Sequence, residues 1–277
     1  MRAWGLGLDT MALTFVPLLR VQRELYAMPR GMERFREYIK TMTDAATGDL
    51  ALPLVAMNPM GKDHVPALID EYLALGAEDI GEDAVKRARA DVWRAGASAP
   101  AGAATAKAVA LQTKAYKVAL VVSDDLKGGW TNRWASEYAH RIEGAAITKR
   151  GWLVGILWTS EPASAQAVRD AVLTSIYRAE YLQTHAAPIT LGEMLDQEGY
   201  AMARAGCTTP QLDDDDLAYT RSVIKPHLDA TDRATVMTCL FGDRAAAALG
   251  YPPQGLSDRA GLALALSNAR TETLAKR

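Results

Sequence analysis

Nowhere in the chain do about 18 apolar residues follow one another without a charge, the length a bilayer-crossing helix needs. The apolar stretch near the start, Trp4 to Leu19, is broken by Asp9. It has only Arg2 ahead of it and leads to no small-x-small cleavage site, so it does not read as a secretory signal. We therefore expect a soluble cytoplasmic protein with no membrane partner. A basic surplus is missing too. Lys and Arg number 31 against 33 Asp and Glu, a net charge of −2 with the two signs interspersed. A general polyanion binder needs excess cations to neutralise phosphates, so nucleic acid is not an expected partner.

Cysteine is scarce as well. Cys207 and Cys239 are too far apart to form a C-x-x-C metal pair, and two free thiols in a reducing compartment are expected in preference to one disulfide. A nucleophilic Cys207 would need a base beside it, which its Ala-Gly-Cys-Thr-Thr-Pro turn does not supply. The chain contains no G-x-x-x-x-G-K-[ST] phosphate loop and no G-x-G-x-x-G dinucleotide fingerprint. It also lacks the G-x-S-x-G elbow and the H-E-x-x-H zinc helix. An ATP or GTP site of the first kind, a Rossmann cofactor, and the usual esterase and zincin chemistries thus lose their sequence support. The cofactor stays unassigned, with a divalent metal the one open option.

What is present is ordinary globular composition, 49% apolar and 23% charged. Residues 1–15 carry no clear periodicity. A helix starts near Pro17, with Leu18, Val21, Leu25 and Met28 as its apolar stripe, and a second puts Met32, Phe35, Ile39 and Met42 on one face. Leu50–Met57, closed by Asn58-Pro59 and Gly61, reads as a buried strand whose first half Pro53 makes irregular or marginal. Helices are predicted over 63–75 and 79–94, then strands over 117–123 and 152–158. Pro162, with Ser160 or Thr159 as cap, opens a helix over 162–184, and further helices cover 190–205, 214–228, 231–249 and 257–275. The run Asp213 to Asp216 fits a helix N-terminus. The small residues of 95–106 read as a surface loop in preference to a domain linker. Each strand is followed by a polar turn and a helix. The expected fold is accordingly helix-rich α/β: a single domain with a small, mostly parallel sheet of about three strands flanked by helices, and an all-helical layer over 162–277.

Ligands of open α/β sheets bind beyond the carboxyl ends of the strands. That edge would gather Asn58, Lys62, Asp63 and His64 with Asp124, Asp125, Trp130, Asn132 and Arg133, and with Thr159, Ser160 and Glu161. Asp124 and Asp125 follow a strand directly, where a carboxylate can act as acid or base or hold a divalent cation. Adjacent residues point to opposite faces, so one of the two is expected to enter the site. Set against this, one carboxylate could cap the next helix while the other is solvated. His64 is the preferred catalytic histidine, because it alone follows a strand turn. Lys62, Asn132 and Arg133 would meet an anion, Trp130 would wall the pocket after the turn at Gly128-Gly129, and Glu161 would complete the lining.

Glu137 and His140 lie three apart on a helix, but Glu-x-x-His marks a di-metal site only when present twice, and here it occurs once. His185, His227, Trp152 and Trp158 read as structural. The chemistry expected is hydrolysis or elimination on a small, anionic organic molecule, with metal assistance as one version. The alternative is a non-catalytic, helix-rich interaction protein or homo-oligomer.

Overall fold

A computed structural model of the chain describes residues 12–97, 115–126 and 131–275. Its centre is a three-stranded parallel sheet in the order β1 (Leu13–Val16), β2 (Tyr116–Ser123), β3 (Trp152–Trp158). The register sets Leu13 opposite Tyr116 and Lys117 opposite Trp152, and continues to Ser123 opposite Trp158. All three carboxyl ends therefore lie at one edge. A parallel sheet covered on both faces is made of near-continuous apolar runs. Those of β2 and β3 are of that kind and are buried almost throughout.

The helices are α1 (Leu18–Ala27), α2 (Met32–Met42), α3 (His64–Ala74), α4 (Ala77–Ala97), α5 (Arg133–Arg141), α6 (Ala145–Lys149), α7 (Ala165–Thr184), α8 (Leu191–Ala205), α9 (Asp214–Ile224), α10 (Arg233–Phe241), α11 (Asp243–Leu249) and α12 (Ala260–Ala275). α4 and α7 pack on the sheet and on each other, and α8 joins α7 to α12. Two glycines make the close approaches. A Cβ on Gly81 of α4 would meet the Phe15 ring of β1 at 2.6 Å, and one on Gly155 of β3 would meet the backbone of Ala171 in α7 at 2.9 Å. The buried apolar side chains form one cluster that runs from Leu13 to Leu266.

β1 stops at Pro17, so among the described residues the far half of β2 has no strand beside it on that side. Gln22 of α1 fills the gap. Its amide donates to the Val122 carbonyl at 2.6 Å and accepts from the Val122 N–H at 2.9 Å, replacing two ladder bonds that a buried strand cannot leave unmade. Gln22 is fully buried as a result.

Several expectations need correction. The run Leu50–Met57 is not a strand. It makes an isolated bridge between Thr43 and Leu50 and then a 3-10 turn over Leu54–Ala56, with Leu54 and Met57 buried. β1 and β3 already take the two sides of β2, and Pro53 has no N–H for a ladder. The strand missed was Leu13–Val16, four residues long and cut short by Pro17.

On α2 the buried side chains are Arg34 and Tyr38, whereas Met32 is 59% and Ile39 40% exposed. Arg34 turns inward because its guanidinium donates to the Met28 carbonyl, and the Tyr38 hydroxyl donates to the Leu54 carbonyl. The helix expected from 162 begins at Ala165 and is capped by Ser164, whose Oγ accepts from the Ala167 N–H at 3.1 Å. The helix expected over 231–249 is split at Gly242, whose φ of 82° belongs to the left-handed region and whose Cα faces the Ser257 carbonyl too closely for any Cβ. α4 extends to Ala97; the remainder of the 95–106 stretch lies outside the described residues. No helix among the described residues is long and apolar enough to cross a membrane.

Candidate functional site

The carboxyl edge of the sheet carries one hydrogen-bonded chain of polar side chains. Asp124 is the first residue past β2 and is 2% exposed. Its Oδ2 accepts from Asn58 Nδ2 at 2.8 Å, while Oδ1 accepts from the Leu126 N–H at 3.3 Å and the Thr159 hydroxyl at 3.3 Å. His64, the first residue of α3, brings Nε2 to 2.8 Å from the same Oδ1, and its side chain is 31% exposed. A carboxylate ringed by donors accepts, so Nε2 carries a hydrogen toward Asp124, and among the described residues Nδ1 has no hydrogen-bond partner. Asn58 is itself fixed, since its carbonyl accepts from the buried Tyr26 hydroxyl at 2.5 Å. Burial of that phenol pushes its pKa far up, ahead of the Asp124 charge nearby, and it stays a donor.

Asp125 does something else. Its carboxylate accepts from Arg133 Nη1 at 3.0 Å, from the Ser160 N–H at 2.9 Å, and from the hydroxyls of Ser160 at 2.6 Å and Thr159 at 3.0 Å. Burial alone would raise its pKa, but the Ser160 and Arg133 bonds outweigh that and hold it below the usual carboxylate range. Both aspartates lie past the end of β2, outside its pleat, so both turn toward Thr159 and the expected split to opposite faces does not occur. The same bonds explain why Thr159 and Ser160 do not cap α7.

Arg133 continues the chain. It stacks over the Trp158 ring at 4.0 Å and gives Nε to Glu137 at 3.0 Å and Nη2 to Glu161 at 2.6 Å. Glu137 is buried and also receives Arg141 at 2.9 Å and Arg259 at 2.9 Å. Its burial is outweighed by Arg259, Arg141 and Arg133, which keep it ionised well below the carboxylate range. Arg141 reaches on to Glu198 at 2.5 Å, and Arg178 meets Glu198 at 2.6 Å. Glu198 is fully buried. Against that burial the two guanidiniums push its pKa down to about 2.

Beside this network is a cavity of about 360 Å³, between the end of β3, α5, α7 and the turn around Cys207. Arg133, Arg178, Arg259, His140, Asp170 and Cys207 are among its walls; His64 and Asp124 are not. Burial, then the charges of Arg178 and Arg141, lower the His140 pKa to about 3, so this ring is neutral. Burial also pushes the Cys207 thiol up to about 12 and raises Asp170. Cys207 is therefore a protonated thiol with none of the activation a nucleophile requires.

Of the residues singled out by sequence, Asn58, His64, Asp124, Asp125, Arg133, Ser160 and Glu161 are brought into one chain, with Thr159 at its middle. Lys62 is exposed, two residues before His64. Asn132 caps α5, its Oδ1 accepting from the Ala135 N–H at 3.1 Å. Trp130, Gly128 and Gly129 lie outside the described residues. Trp134 is buried against Phe241, with ring centroids 5.8 Å apart. Glu137 is the hub of three arginines. Arg141, Arg178, Glu198 and Arg259 were missed. The four-residue steps Arg133, Glu137, Arg141 along α5 were a legible signal of a charged face; nothing local marks Arg178, Glu198 or Arg259. Among the described residues, no group of three or more His, Cys, Asp and Glu is arranged to hold a metal ion.

Comparison with protein-family models, with curated proteins and with solved structures gave no match.

Proposed function

We propose that this chain is an enzyme that acts on a small anionic organic molecule at the carboxyl edge of its sheet, by hydrolysis or elimination. His64 is the proton-transfer group and Asp124 the carboxylate that orients it. The observation that carries this reading is the 2.8 Å contact between His64 Nε2 and Asp124 Oδ1, in which the acid is buried and held by two further donors, with the Thr159 proton shared between it and Asp125, while the imidazole is part exposed. A buried carboxylate that fixes the tautomer and stabilises the imidazolium is the arrangement a histidine base uses to take a proton from water or from a carbon acid. Lys62, exposed two residues before His64, and the arginines beyond Asp125 are the cations at hand for the substrate's charge. Asp125 takes no proton in this reading. It anchors Arg133.

The test is a turnover screen of the purified protein over carboxylic and phosphoric esters, amides and β-hydroxy acids, repeated with His64→Ala and Asp124→Asn. The reading expects a substrate whose turnover falls by about 10²–10⁴ in His64→Ala, the usual worth of a positioned acid or base. A substrate turned over equally well by both variants would sink it. A second reading, an oligomeric or interaction protein, is favoured by the exposed Met32 and Ile39 on α2. Sedimentation of the wild type and of Met32→Lys/Ile39→Lys separates the two: this reading requires an assembly that the double variant loses.

A further inference from the structure

The cavity beside the network has the means to bind an anion and a side chain already in the anion's place. Four guanidiniums, of Arg133, Arg141, Arg178 and Arg259, surround it. Three of the carboxylates they meet are buried, those of Asp125, Glu137 and Glu198 at 2%, 3% and 0% exposure. The fourth, Glu161, is 44% exposed. Asp170 also lines the cavity, so the guanidiniums are not in excess of the acids. Glu161 differs from the other acids paired with them in being solvent-screened, and a solvent-screened carboxylate holds a cation weakly.

Glu161 Oε1 stands 2.6 Å from Arg133 Nη2 and 3.5 Å from Arg259 Nη2, so it spans the two guanidiniums from the solvent side. Both arginines are fixed without it. Arg133 is pinned by Asp125, Glu137 and the Trp158 ring. Arg259 grips both oxygens of Glu137, at 3.1 and 2.9 Å. It does so from a left-handed backbone position, φ 58°, which is uncommon for a long side chain and gathers at sites where geometry is imposed. Below them the wall turns apolar at Ile156, Leu157, Met202 and Pro210. The volume, about 360 Å³, falls within the usual range for small-molecule pockets, about 300–1,000 Å³.

We propose that this cavity binds a small organic anion whose carboxylate or phosphate group takes the position of Glu161 between Arg133 and Arg259, with its apolar body against Ile156, Leu157 and Pro210. Glu161 is then a displaceable latch: it closes the guanidinium pair when the cavity is empty and swings into solvent when an anion arrives. This rests on the reading above that the chain takes an anionic organic molecule; His64 and Asp124 do not line the cavity, and the proposal names only the groups that receive the charge there.

Calorimetric titration of the full chain with inorganic phosphate, and separately with benzoate, tests it at constant ionic strength. Glu161→Gln removes the competing charge and should bind at least one of the two about tenfold more tightly than the wild type. Glu161→Asp, too short to span both guanidiniums, should show a smaller gain. Arg259→Lys keeps the charge and loses the fork, and should bind at least fivefold more weakly than the wild type, with circular dichroism reporting that each variant is folded. Tighter phosphate with unchanged benzoate assigns a phosphate group; the converse assigns a carboxylate. Equal affinity of Glu161→Gln and wild type for both probes, or no binding by either protein, overturns the latch. Turnover of a substrate without tightening in Glu161→Gln likewise sinks the latch and leaves the enzyme reading standing. Tightening without turnover of any anionic substrate does the reverse.

Discussion

Two acid–cation groupings meet at the carboxyl edge of the sheet, and they differ in how they are closed. At one end Asp124 holds His64, and the imidazole keeps one nitrogen without a partner among the described residues and part of its surface in solvent. At the other end Glu137 and Glu198 are enclosed by Arg133, Arg141, Arg178 and Arg259, with every carboxylate oxygen taken. The comparison shows why a perturbed pKa is not by itself a sign of chemistry. Glu137 and Glu198, both strongly shifted, belong to the closed network, where opposite charge outweighs burial and makes an ion cluster that ties α5, α7, α8 and the residue before α12. The group with spare valence and access is the histidine.

The sharpest way to break this contrast is at its two centres. Glu137→Ala leaves three part-buried guanidiniums without their shared buried acceptor and should cost about 3 kcal/mol in urea unfolding, the lower end of what loss of one partner of a buried ion pair costs. A cost under about 1 kcal/mol would mean that the network is not architectural. His64→Ala should lower stability by under about 1 kcal/mol, because only one bond to a part-exposed group is lost, while lowering the proposed turnover by about 10²–10⁴, as expected of a positioned acid or base.

The pH profile sharpens the comparison further. His140 has its folded pKa lowered to about 3 against about 6.5 in an unfolded chain. Its contribution is therefore fully present above about pH 6.5 and is lost as pH falls toward 3, since the unfolded state takes up the proton first. Glu198, depressed to about 2, adds a further loss below about pH 4.5. Unfolding of His140→Gln should show a flatter stability curve between pH 6.5 and 3 than the wild type. The same slope in both proteins would place that loss elsewhere. The smallest effect expected is at Asn132. Asn132→Ala should lower stability by about 1 kcal/mol through loss of the α5 cap, and Asn132→Asp should restore it. Equal stability of all three would deny the cap its role.

The parts that could be read from sequence are those with local signatures. The apolar runs of β2 and β3 and the acidic helix N-terminus at Asp213 are written in consecutive residues. Asp124 and Thr159 were legible at one edge because each directly follows a parallel strand; Asn58 and His64 do reach that edge, but they were placed there on a strand over Leu50–Met57 that is not formed. Leu50–Met57 misled because an apolar run reports burial and not strand pairing, which depends on whether a neighbour already occupies the place. Gln22 as a substitute strand, and Arg178, Glu198 and Arg259 as members of the network, were illegible. Each acquires its meaning only from a partner tens of residues away. Ile39 and Met32 looked like core on helical spacing alone, and only the inward turn of Arg34 and Tyr38 puts them outside.

Nitrogen-correlated NMR of the histidine side chains, in the wild type and in Asp124→Asn, tests the central claim without any knowledge of the substrate. The account predicts that neutral His64 is held as the Nε2–H tautomer, with Nδ1 unprotonated, and that Asp124→Asn releases it to a mixture of tautomers. A His64 ring that already interconverts freely in the wild type, or that stays unchanged in Asp124→Asn, would contradict it.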